Sequence, residues 1–309
     1  MKALTKKAVQ KKKKMKNSNW QFWVIIAIPL LYAIVFAYIP MGGIVLAFKD
    51  YSIRKGIFGS DWVGLQYFKQ FLLSPSSSKV IWNTLVLGFY SLLASFPIPI
   101  LLAIGLNEVK SIRFKKIVQM VTYAPYFIST VVMVGILMQM TDLRIGIINK
   151  FLSLFGIGPL NFFGDAGMFR SLYVWSGVWQ TAGYAAIIYI AALAGVCPEL
   201  KEAATVDGAS RMQRIWHVDL PAIRPTIVTM LIFACGGIIN IGFDKVYLMQ
   251  NSMNLAKSEV IATFVYKVGL VNADYGFSTA AGVFQSLVSF IMLVTVNYIS
   301  KKITETSLW

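Results

Sequence analysis

Apolar residues in this chain fall in long uncharged runs, with the charged residues clustered between them. Six runs hold no Asp, Glu, Lys or Arg: residues 20–48, 80–107, 117–141, 171–198, 225–243 and 275–300. Each reaches the roughly 17–25 residues that a tilted helix needs to cross a bilayer. The pattern predicts an all-α membrane protein of six transmembrane helices, with the fifth span taken as 225–247. Pro29 and Pro40 are expected to kink the first span, which is long enough to extend beyond the bilayer as an interfacial turn. Pro97 and Pro99 fall in the inner half of the second.

Composition agrees, and charge adds an orientation. Of 309 residues, 57% are hydrophobic and 14% charged; a soluble domain of this length cannot hide so much apolar surface. The net charge of +16 is unevenly placed. Residues 1–19 form a basic tail carrying Lys2, Lys6, Lys7, Lys11, Lys12, Lys13, Lys14 and Lys16. Beside a span and without interleaved aromatics, it reads as an anchor to anionic lipid, at about 1 kcal/mol per lysine, and not as a nucleic-acid arm. The first apolar run is too long for the core of a cleavable signal peptide. With the N-terminus inside, the inner segments carry about 18 basic residues and the outer ones about 11, so both termini are expected in the cytoplasm. Cys197 and Cys235 imply no disulfide framework.

The segment 198–221, placed inside by the same count, reads as two short helices around a glycine. Pro198 suits a first helical turn, where its missing N–H is not needed. Glu199 and Glu202 lie near the positive end of that helix. Leu200, Ala203 and Ala204 share a face. Gly208 can adopt the left-handed conformation that ends a helix. Ser210 and Gln213 have capping-box spacing for the second helix, with Met212, Ile215 and Trp216 on its apolar side, and Pro221 is expected to stop it. The competing reading is an amphipathic loop lying on lipid.

At these residues the chain resembles the EAA-loop permeases of ABC importers. Glu202, Ala203, Ala204, Asp207, Gly208, Ala209, Leu220, Pro221 and Pro225 stand where that family has them, and Ile215 replaces an aromatic. The segment 123–129 (Tyr-Ala-Pro-Tyr-Phe-Ile-Ser), Gly146 with Asn149, and the segment 243–248 (Phe-Asp-Lys-Val-Tyr-Leu) are similar to the branch handling complex oligosaccharides. After Leu248 the chain has Met249-Gln250-Asn251-Ser252-Met253-Asn254, where many sugar permeases carry Thr-x-Gly-Gly-Pro.

The resemblance covers about residues 20–309 and implies the type I importer fold in a bacterial cell membrane. It implies that Glu202, Ala203, Ala204, Asp207, Gly208, Ala209, Met212, Ile215, Leu220 and Pro221 engage a separate ATPase. The implied partners are a second six-helix permease, more simply a paralogue than a copy, two ATPase subunits that bind ATP and Mg, and an extracellular substrate-binding protein.

Nothing in the sequence argues for catalysis by this chain. It has no Gly-x-x-x-x-Gly-Lys-Ser/Thr phosphate loop, and its one histidine, His217, leaves no multi-histidine metal site. The expectation is a transporter subunit, not an enzyme, with no cofactor in this chain. An importer for another solute, or a channel or scaffold without ATP coupling, are the alternatives.

A substrate path must then use polar residues at depth. At 1.5 Å per residue, Gln180 lies roughly 14 Å into the fourth span and Gln285 at a similar level in the sixth. Gly237 falls roughly 17 Å into the fifth and Asn240 roughly 22 Å. Trp179 and Tyr184 flank Gln180. Together these suit a polyhydroxylated ligand, while the plainer role for each amide is to glue helices together. Gly236-Gly237 marks either a helix break or a close packing point. Asp244 and Lys245 are expected to snorkel at the outer interface.

Overall fold

The computed structural model describes residues 20–304; the basic tail and its expected lipid contact lie outside them. The chain divides into two units, one ending at Val45 and the other beginning at Leu46. The first consists mostly of helix α1 (Trp20–Phe48). No residue of its stretch up to Met41 is buried. Its Pro40 is tolerated because the helix widens first: a π turn covers Ile34–Tyr38, with the Ile39 N–H bonded to the Ile34 carbonyl five residues back. The wider turn relieves the clash that a proline ring makes with the carbonyl of the turn before it.

The second unit opens with a two-stranded antiparallel ribbon, β1 (Lys49–Asp50) and β2 (Asp61–Trp62), with Lys49 opposite Trp62. The helices that follow are α2 (Gln66–Leu73), α3 (Pro75–Glu108), α4 (Ile112–Phe127), α5 (Thr130–Met140), α6 (Ile147–Ser153) and α7 (Ala166–Ala194). After them come α8 (Pro198–Val206), α9 (Arg211–Gly236), α10 (Phe243–Met249), α11 (Ile261–Val271) and α12 (Tyr275–Thr304). Among the described residues, α1, α3, α7, α9 and α12 are long and apolar enough to cross a membrane. The pair α4 and α5 makes a sixth crossing if taken together. The protein is therefore an all-α, multi-spanning membrane protein.

Four expectations about the spans are corrected. The sequence predicts a single helix over 117–141, but α4 and α5 meet at a bend of 103°. Pro125 offers no N–H, Ile128 is extended, and the Ser129 hydroxyl accepts the Val132 N–H to start α5 afresh. Nor does Pro221 stop a helix. The α9 helix runs through Pro221 and Pro225 from Arg211 to Gly236. A π turn over Ile215–Asp219 again precedes the proline, with the Leu220 N–H bonded to the Ile215 carbonyl. The same helix ends earlier than the predicted 225–247: residues 237–242 are non-helical, and α10 resumes separately. The fourth span also shifts, since the Asp165 carboxylate caps the Gly167 N–H and starts α7 at Ala166.

Helix α7 is the axis of the second unit. Its N-terminal half packs Phe169, Val174 and Val178 against Leu87 of α3, Met133 of α5, and Val246 and Met249 of α10. Its other half packs Ala186, Tyr189 and Leu193 against Ile100 and Ala103 of α3 and Ile223 of α9. Two glycines set the closest approaches. A Cβ on Gly183 would strike the Thr122 carbonyl of α4, and one on Gly88 would strike the Ile238 carbonyl in the break after α9. Small residues at such crossings let backbones touch where no hydrophobic effect drives helices together.

Candidate coupling surface and substrate path

The loop after α7 folds from local rules. Pro198 occupies the first turn of α8 and Glu199 sits beside it. Gly208 has φ +78, and the chain closes there with Ala209 N–H on the Ala204 carbonyl and Gly208 N–H on the Thr205 carbonyl. That pair of bonds is the Schellman arrangement, which satisfies carbonyls left free at a helix end. The Ser210 hydroxyl accepts the Gln213 N–H while the Gln213 side chain accepts the Ser210 N–H, so α9 starts with a complete capping box.

Four large apolar side chains face outward here among polar ones. Leu200, Met212 and Trp216 are each more than half exposed, and Val206 is 87% exposed. Glu202, Ala203, Asp207, Gly208 and Pro221 are exposed as well, whereas Ala204, Ala209, Ile215 and Leu220 are half-buried. Val206 went unremarked in the sequence because it falls between the recognisable motif residues. Its period relative to Ala203 was the available signal.

Two charged contacts, neither evident from spacing, hold the loop to the helices. Lys201 Nζ of α8 lies 2.8 Å from Asp219 Oδ1 in the π turn of α9, and the Asp219 side chain is only 2% exposed. This contact is one of charge more than direction, since that oxygen receives no hydrogen bond of good geometry. Arg214 Nη1 donates to Thr205 Oγ1 at 3.2 Å, and its Nη2 lies 4.0 Å from Glu108 at the end of α3. Glu202, Thr205 and Val206 border a groove of about 550 Å³ with Asn107, Glu108 and Arg214. His217 is exposed, with Nδ1 2.9 Å from the Gln213 carbonyl.

The six residues expected along a path separate into different environments. Gln180 Nε2 donates to the Ile128 carbonyl at 2.9 Å, at the bend between α4 and α5. Tyr184 stacks on Tyr126 beside that bend, with ring centroids 3.8 Å apart. Gln285 Nε2 donates to the Ile239 carbonyl and to Asn240 Oδ1, both at 3.1 Å, in the break after α9. Each glutamine therefore meets a carbonyl at a break in a neighbouring helix, a group that hydrocarbon cannot satisfy. Trp179 is exposed, and around α7 it stands about 100° from Gln180, with Tyr184 about 40° away on the other side. Gly237 and Asn240 border a cavity of about 260 Å³ with Ser91, Ser95 and Tyr173.

Lys245 does not snorkel. Its Nζ donates to the Tyr173 carbonyl at 2.7 Å and sits 4.5 Å from the centre of the Tyr173 ring. At the same end of α7, asparagines stitch the loops. Asn149 is buried, with Nδ2 3.1 Å from the Thr141, Asp142 and Leu160 carbonyls and Oδ1 accepting the Leu160 N–H. Asn251 and Asn254, in the stretch replacing the glycine-rich motif, accept one another's N–H groups and both donate to the Phe163 carbonyl.

Residues 71–305 match the family of binding-protein-dependent transport system inner membrane components. The chain belongs to this family. It is an ABC-importer permease subunit of the multi-pass, bacterial inner-membrane kind, and not a catalytic enzyme. The permease is 40% identical over 295 residues to Protein LplB of Bacillus subtilis (strain 168), covering 96% of this chain and 92% of LplB. It is 39% identical over 305 residues to the polygalacturonan/rhamnogalacturonan transport system permease protein YteP of the same organism, covering 98% and 95%. In the crystal structure of a bacterial alginate ABC transporter with alginate pentasaccharide-bound periplasmic protein, one chain matches the permease with a TM-score of 0.87 and 35% identity. That match covers 94% of the permease and 97% of the transporter chain.

Proposed function

We propose that this permease is one half of the pore of an ATP-driven bacterial importer for oligosaccharides. The observation that carries the reading is the α8–α9 loop: a short helix joined by a doubly capped turn to the start of a span, with four large apolar side chains exposed among its polar ones although it lies at a polar end of the spans. Water gains nothing from Leu200, Val206, Met212 and Trp216 there, whereas a cleft in a soluble partner does. The oligosaccharide class is supported by the relatives that carry polygalacturonan, rhamnogalacturonan and alginate in their descriptions.

In this reading the loop and both termini face the cytoplasm, in line with the excess of lysine and arginine on that side. A second six-helix permease completes the pore, two ATPase subunits bind ATP and Mg and grip the loops, and an extracellular binding protein delivers substrate. Closure of the ATPases moves α8 as a rigid body. Asp219 and Glu108 pass that motion to α9 and α3 through Lys201 and Arg214, and the spans tip between outward-facing and inward-facing states. Glu202 orients α8 by its charge near the helix start, and Gly208 permits the turn. Gln180 and Gln285 hold the broken helices in register, while Trp179, Tyr184, Gly237 and Asn240 supply aromatic and polar surface along the path.

The test is purification of the tagged permease from its native membrane in mild detergent, with co-purifying chains identified by mass. The expected result is an ATPase carrying a phosphate loop together with a second EAA-bearing permease, and ATP hydrolysis that rises with loaded binding protein. A stable assembly without any ATPase refutes the coupling assignment.

A further inference from the structure

The ammonium of Lys245 lies against the face of α7 that carries Tyr173 and Gly177. Gly177, Gln180 and Tyr184 are spaced to share one face of that helix, and Nζ sits 3.1 Å from where a Cβ on Gly177 would stand. The glycine leaves the room that the ammonium uses. Tyr173, which takes the Lys245 hydrogen bond, also borders the cavity lined by Ser91, Ser95 and Asn240. Lys245 is half-buried, and the cavity lies on the other side of the Tyr173 residue it contacts.

No carboxylate answers this charge. Helices α5, α7 and the Ile261–Tyr266 stretch of α11, against which α10 packs, contain no Asp or Glu. Among the described residues, none of the four ion pairs includes Lys245. Asp244 precedes it in sequence but is exposed and about 100° around the helix. An ammonium has three donors, and the Tyr173 carbonyl takes one. The ring face offsets part of the remaining cost. Tying α10 to α7 needs only a donor, which an uncharged glutamine supplies without the expense of an unpaired charge at depth. A cation with donors to spare and no carboxylate partner, beside that cavity, is accounted for by an anionic ligand.

We propose that Lys245 is a specificity residue for the carboxylate of an acidic sugar, so that the permease passes uronate-containing oligosaccharides. The proposal rests on the oligosaccharide-import reading and narrows it. The carboxylate takes the free donors of the ammonium, and the hydroxyls of Ser91 and Ser95 with the Asn240 amide serve the sugar hydroxyls.

The experiment uses the complete importer with its binding protein in proteoliposomes. ATP hydrolysis is measured with oligogalacturonates and oligoalginates, and with neutral xylo-oligosaccharides of the same length. Acidic chains are expected to stimulate the wild type more than neutral ones, a comparison that needs no variant. Lys245→Gln keeps a donor for the Tyr173 carbonyl, yet it is expected to lose about tenfold or more of the acidic stimulation, as for one charge-assisted hydrogen bond. Co-purification of every subunit with Lys245→Gln reads out its assembly, and Lys245→Arg should retain most of the response. Stimulation by neutral chains alone, or equal responses of the wild type and Lys245→Gln, overturns the carboxylate assignment and leaves oligosaccharide import standing. Stimulation by no saccharide at all, with the ATPase present, sinks the import reading and this proposal with it.

Discussion

Replacing Lys201 with methionine tests whether the loop drives the spans through the Lys201–Asp219 contact. At 2.8 Å and an effective dielectric of about 20, the attraction is about 6 kcal/mol before desolvation. Desolvation cancels much of this, and breaking a buried pair by removing one partner typically costs about 3–5 kcal/mol. Lys201 is 29% exposed while Asp219 is 2% exposed, so water screens one side of the pair and about 2–3 kcal/mol is the reasonable loss. That corresponds to about 30- to 150-fold in the equilibrium between α8 docked on α9 and α8 released.

The assay compares basal with substrate-stimulated ATP hydrolysis in the reconstituted importer, alongside thermal unfolding followed by fluorescence. Lys201→Met should lower the stimulated rate at least tenfold, leave basal hydrolysis near normal and reduce the unfolding temperature by several degrees. Lys201→Arg should restore coupling. The double variant Lys201→Met with Asp219→Leu should recover most of the stability, because an apolar pair replaces a buried charge without stranding it. If Lys201→Met unfolds and couples as the wild type does, the contact carries no load and the rigid-body argument fails.

Three further outcomes are expected. Gly208→Val should uncouple transport while the protein still inserts: an added Cβ meets nothing within 4 Å, so the cost is purely that of a β-branched residue at φ +78, about 1–3 kcal/mol; wild-type transport rates would remove Gly208 from the coupling assignment. Gly183→Ala should block stable folding, because its methyl group runs into the Thr122 carbonyl backbone; normal yield and monodispersity on size-exclusion chromatography would count against the close α7–α4 crossing. The Asp142 carboxyl is held below the usual carboxylate range by the backbone N–H groups of Ile145 and Arg144. Its contribution is complete above the ordinary value of about 4 and is lost as pH falls through the lowered one. Amide exchange in residues 142–146 should therefore quicken only at acid pH, and a pH-independent exchange ratio to a distant loop contradicts that.

The loop and the paths differ in how far they could be read from the chain, and the reason is range. Every device that shapes the loop acts within about five residues: Pro198 in a first turn, Gly208 at a left-handed end, Ser210 with Gln213 as reciprocal caps. Sequence spacing therefore states them directly. The Lys201–Asp219 pair spans two helices and one turn, and Arg214 reaches Glu108 on a different span, so neither could be paired without the fold. Pro221 misled for a related reason. Taken alone it ends a helix, but a π turn upstream relieves its clash, and π turns leave no mark in residue type.

Length and apolarity of uncharged runs are additive properties of a chain, so a multi-spanning α-helical protein, with the caps of the turn between α8 and α9, could be read from residue order alone. Where those runs break was decided by tertiary structure. The 103° bend at residues 128–129 and the end of α9 at Gly236 both free carbonyls that only another helix can satisfy. Gln180 and Gln285 do so from spans far away in sequence, and Gly183 and Gly88 permit the approach. A glutamine at membrane depth looks the same in a sequence whether it faces a ligand or a neighbouring backbone. The difference is the identity of the carbonyl across the interface, and that exists only once the helices have packed.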